Sequence, residues 1–134
     1  MVASAAGNAL APNEFQILYA PGIRKILTLL RIDPTKARVT VEPDQVRVRF
    51  GWSFQMSFPR DAVTDAGRDK KPFGTGMGVH GWRGRWVVNG SNDGMVRITF
   101  RQPQKARVIG FPVKARELFV SLEDPAGFLA AIGF

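Results

Sequence analysis

The sequence predicts a mainly β domain of the α+β class. The expected architecture is a strongly bent antiparallel sheet or partly open barrel of about seven strands, with a C-terminal capping helix and a short early helix. Three observations carry this. Period-2 alternation of apolar and polar residues recurs in short runs from Arg38 onward. Clusters of Gly, Pro, Asn and Asp separate those runs. The clearest helix signal comes last, at Asp124-Pro125.

Taken in order, residues 1–13 are small and polar enough to read as a flexible tail, and 14–134 as a single domain. Phe15, Ile17 and Tyr19 alternate as a first strand. Ile23, Ile26, Leu27 and Leu30 then fall at helical spacing over 21–31, with a strand over 24–32 as the alternative. Arg38–Glu42 and Val46–Phe50 form a hairpin with Val39, Val41, Val46, Val48 and Phe50 inward. Gly51-Trp52 breaks the ladder, and Phe54, Met56 and Phe58 line one side of the next strand. Residues 64–81 are glycine-rich without a clean period and read as a long loop. Residues 82–101 read as a second hairpin turning at Asn89–Gly94, followed by a turn at Gln102-Pro103-Gln104 and a strand at Lys105–Ile109. Leu118, Val120 and Leu122 mark the last strand. Asp124 then caps a helix that carries Phe128, Leu129 and Ile132 on one face and stops at Gly133.

Composition bounds the chemistry. A chain of 134 residues, 45% hydrophobic and 22% charged, has the make-up of one globular domain. It contains no cysteine, which excludes disulfides, thiolate metal sites and thiol catalysis. No run of 18 apolar residues exists, and the N-terminal stretch lacks a cationic, apolar leader pattern. The expected compartment is the cytoplasm, with peripheral attachment at a membrane as a variant.

The segments ELFVSLEDPAGFLAAI (Glu117–Ile132) and VRVRFGWSFQMSFPRDAV (Val46–Val63) resemble the closing strand and helix, and an inner strand pair, of bacterial pleckstrin-homology-like (PH-like) domains. RFGWSF, HGWRGRWVVNGS and GFPV are similar to a group of bacterial proteins of about this length. The resemblance spans roughly residues 14–133. It implies a seven-stranded, strongly bent sheet closed at one end by the C-terminal helix and says almost nothing of function; the first functional reading is a non-enzymatic binding or scaffold module. The resemblance assigns no catalytic residue.

Motifs for catalysis are sparse. His80 is the sole histidine, no G-x-S-x-G elbow occurs, and Gly74–Gly78 lacks the Lys-Ser/Thr ending of a phosphate loop. Asp61, Asp65 and Asp69 recur every fourth residue but interleave with Arg and Lys, which reads as solvated charge rather than a metal set. No cofactor and no metal is expected. An alternative pocket of a small-ligand protein or enzyme would gather His80, Trp82, Arg83 and Arg85. Against it stands inward packing of Trp82 and Trp86 at a strand start.

The positive charge is localised. The net +8 conceals a middle segment, 24–116, with 19 bases against 7 acids. Within it, Arg97, Arg101, Lys105 and Arg107 are expected on one outward hairpin face. Three uses follow: docking to a protein partner or anionic membrane surface, non-specific nucleic-acid binding, or simple solubility. No helix-turn-helix or aromatic RNA-binding motif supports sequence-specific nucleic-acid recognition.

Overall fold

The computed structural model describes residues 13–18, 37–70, 78–91 and 93–134. The helix expected over 21–31 and nearly all of the expected tail lie outside the described residues. The strands are β1 (Glu14–Gln16), β2 (Ala37–Val41), β3 (Gln45–Phe50), β4 (Phe54–Pro59), β5 (Val63–Arg68), β6 (Gly78–Trp82), β7 (Arg85–Asn89), β8 (Met95–Val108) and β9 (Phe111–Ser121). A 3-10 turn at Arg60–Ala62 joins β4 to β5, and helix α1 (Pro125–Ile132) follows β9.

All nine strands belong to one sheet in the order β1-β2-β3-β4-β8-β9-β7-β6, with β5 also paired to β8. The expected mainly β class holds, but the strands number nine rather than seven. The sheet is not closed into a barrel. A single bridge, Ile17 to Leu122, and the Leu18 N–H to Ser121 carbonyl bond (2.9 Å) draw β1 toward the end of β9.

Alternation becomes burial directly in the first hairpin. Val39, Val41, Val46, Val48 and Phe50 pair across β2 and β3 and are all buried. Phe54, Met56 and Phe58 continue that inner face on β4, opposite Phe50, Val48 and Val46. Helix α1 completes the core. Asp124 accepts the Gly127 N–H (3.0 Å), and Gly133 ends the helix at a left-handed φ of 87°. Phe128 is fully buried, edge-on to Phe15 at 5.6 Å.

Four expectations change. Residues 64–81 are not one irregular loop, because they contain most of β5 and β6. The apolar alternation that usually betrays a strand is missing from β5; its ladder is supplied by residues 96–100 of β8. Residues 82–101 do not form a hairpin. β7 pairs in parallel with β9, which lies between it and β8, and the adjacent Val87 and Val88 are both fully buried, one on each face. Gln102-Pro103-Gln104 is not a turn but a bulged stretch within the 14-residue β8. A ladder irregularity tolerates proline, which has no N–H to donate. Finally, Trp82 and Trp86 part company. Trp82 is 65% exposed, whereas Trp86 covers Gly81, whose absent Cβ would lie 2.5 Å from its ring.

Gly94 holds the crossing from β7 to β8. Its φ is +67°, its carbonyl accepts the Leu122 N–H (2.9 Å), and a Cβ there would lie 2.2 Å from the Leu122 carbonyl oxygen. Gly94→Ala is expected to cost about 2 kcal/mol in urea unfolding. Gly67→Ala, with open space at the Cβ position, is expected to change stability by less than about 0.5 kcal/mol.

Candidate functional site

The four basic residues expected on a hairpin face all lie on β8, and the bulge divides them. Arg97 is already engaged: its guanidinium bonds Asp69 (2.6 Å) and Asp65 (2.7 Å), clasping β5 and the residue after it against β8. Arg101 reaches back to the Asp61 carbonyl at 3.2 Å. Asp65 and Asp69 are therefore ion-paired rather than loose solvated charge, whereas Asp61 takes part only through its backbone. Lys105 and Arg107 lie beyond the bulge, exposed, with no carboxylate partner among the described residues.

Non-local pairing gives these two a different company. β4 sits against the far half of β8, so Gln55 lies opposite Arg107. On the other side of β4, Gln55 faces Arg49, and Arg49 faces Arg38. One outward row thus runs Gln16, Arg38, Arg49, Gln55, Arg107, Pro112, one residue per strand at about 4.8 Å intervals. Beside it Arg47 faces Ser57, and Lys105 faces Lys114. The face collects six cations: Arg38, Arg47, Arg49, Lys105, Arg107 and Lys114.

Two carboxylates answer them. Glu14 bonds Arg38 at 3.2 Å, and Glu42 bonds Arg47. The Arg47 guanidinium, helped by the Gln45 side-chain amide, holds the Glu42 carboxyl below its ordinary pKa. Arg49, Lys105 and Lys114 remain exposed and without a carboxylate partner among the described residues. Short side chains between the long ones leave two adjoining shallow grooves. One, of about 770 Å³, is lined by Lys105, Arg107, Pro112 and Lys114, and the other, of about 700 Å³, by Arg38, Thr40, Arg47 and Arg49. Gln55 and Ser57 floor both. The arrangement can hold a spread of negative charge.

Arg38, Arg47, Arg49 and Lys114 are the functional candidates that sequence reasoning missed. Alternation already pointed the three arginines outward. Nothing local brought β3 and β4 beside the distal half of β8.

The alternative quartet lies together at the end of the β6–β7 hairpin, with Trp82 opposite Arg85. Arg83 and Gly84 form its two-residue turn, both at positive φ, and the Arg83 guanidinium lies 5.6 Å from the centre of the Trp82 ring. Arg85 is bound to Glu117 at 2.9 Å. His80 lies on β6, opposite Val87. None of the four lines either groove described above.

Among the described residues no helix is long and apolar enough to cross a membrane. Compared with known proteins, the chain matches no family model, no curated protein and no solved structure.

The Glu42 shift has a defined pH signature. A depressed folded-state pKa contributes stability above the unfolded value and loses it as pH falls through the folded one. In an NMR titration Glu42 should therefore protonate below the ordinary glutamate midpoint of about 4.3. Arg47→Met should move that midpoint up. An unchanged midpoint would show that the ion pair is not formed in solution.

Proposed function

We propose that this chain is a non-enzymatic docking module that seats an anionic surface on the outer face of β2, β3, β4, β8 and β9. One observation carries the reading: among the described residues, pairing between strands distant in sequence gathers six cations and two carboxylates on one face. Arg38 opposite Arg49, and Lys105 opposite Lys114, are like-charge cross-strand pairs, which cost folding some tenths of a kcal/mol each. A bound polyanion would relieve that cost.

The attraction should be modest. A net excess of four charges is worth about 4 kcal/mol near an anionic surface, corresponding to a Kd near 1 mM. Within a Debye length of about 10 Å at 0.1 M salt, it should fall steeply as salt rises.

Calorimetry with inorganic polyphosphate should show binding at low salt that weakens at least tenfold at high salt. The double variant Arg49→Glu with Arg107→Glu should lose it without lowering the unfolding midpoint. Arg97→Ala should bind like the parent, because that guanidinium is already committed to Asp65 and Asp69. Equal binding by the charge-reversed variant would refute the face.

A further inference from the structure

Three of the large apolar side chains left exposed among the described residues gather at one end of this sheet. Trp52 is 50% exposed, in the turn between β3 and β4. Ile109 is 58% exposed, in the turn between β8 and β9, and Phe111, 72% exposed, begins β9. The two turns touch: the Ile109 N–H donates to the Ser53 carbonyl at 3.0 Å. Three apolar side chains therefore project from one double tip.

The second turn is built against ordinary preference. Val108 pairs with Phe111, so Ile109 and Gly110 are the two central residues, at φ of 50° and 80°. That geometry favours Asn or Asp followed by Gly, and a β-branched residue is strained there. A turn that only had to reverse the chain would be better served by asparagine. Here the strained position presents an aliphatic side chain to solvent.

The charges are ordered along the same axis. Arg49 and Arg107 stand one residue behind the row of Phe50, Phe54, Val108 and Phe111, about 3.4 Å back along the strands. Lys105 and Lys114 lie two residues further back. At the opposite end the Arg60 N–H meets the Asp44 carbonyl (3.1 Å) and the Arg60 side chain reaches the Ala131 carbonyl of α1 (2.7 Å). Asp44 and Asp61 belong to that end, and Glu42 beside them is paired with Arg47. The molecule thus has an apolar tip with a cationic collar behind it.

We infer that the double tip enters the interface of an anionic lipid bilayer, with Trp52, Ile109 and Phe111 among the headgroups and the Arg49–Arg107 row on lipid phosphates. This rests on the docking reading above and names its surface. An interfacial anchor sits about 5–10 Å into the headgroup region, and Trp favours that zone. A guanidinium one residue behind such an anchor reaches the phosphate layer. A projecting tip of three side chains suits a deformable lipid surface better than a protein partner, which needs an extended complementary patch.

Vesicles of phosphatidylcholine with phosphatidylglycerol carrying brominated acyl chains test this on the full chain. Bound protein should show quenched tryptophan fluorescence, and Trp52→Phe should lose most of the quenching while still binding. Ile109→Asn with Phe111→Ser, which suits the turn better, should keep the fold and polyphosphate binding but lower vesicle partitioning by about tenfold or more. Equal partitioning by that variant, or no quenching in the parent, overturns the tip inference and leaves the docking face standing if polyphosphate still binds. A parent dimer that the variant breaks assigns the tip to a second copy and likewise overturns it. Loss of polyphosphate binding in the parent refutes the docking reading itself.

Discussion

The ladder made by β8 is the constraint on which the rest of the molecule depends. One of its edges carries β9 along most of its length; the other carries β5 on the first half and β4 at the end. The irregularity after Thr99 and the 3-10 turn at Arg60–Ala62 are where the two edges bend together. Val96, Ile98, Phe100 and Ala106 keep their side chains inward through that bend, so the core stays continuous while the outer face is cut in two.

That division separates two uses of arginine. Before the bulge, Arg97 is a structural clasp, its guanidinium shared between two aspartates across β5. Beyond it, Arg107 and Lys105 meet only glutamine, proline and other cations across the ladder. Residue type is the same; carboxylate placement is not. A sheet gains little stability from like charges side by side, so the open half is the part of the surface whose composition folding does not explain.

The tryptophans and glycines show the same dependence on partner strands. Trp86 is half-buried because Gly81 opposite leaves room for its ring, while Trp82, four residues earlier, stands exposed at a hairpin end with the Arg83 side chain over it. Both lie in one distinctive run of sequence. Their local surroundings in the chain are nearly symmetrical, and only the cross-strand neighbour distinguishes them.

Local physics made much of this protein legible without a structure. The hairpin of β2 and β3, the inner face of β4 and the Asp124-Pro125 cap of α1 follow from periods and end-groups within a few residues. So does the outward direction of Arg38, Arg47, Arg49 and Arg107, since alternation is a property of one strand. Tertiary structure decided what alternation cannot: that β9 separates β7 from β8, that β5 is a strand at all, and that β4 meets the end of β8. Those pairings join residues tens of positions apart through backbone hydrogen bonds that carry no side-chain signature. Whether the positive charge of this chain was scattered or gathered into one face therefore depended on strand order, which no short stretch of the sequence contains.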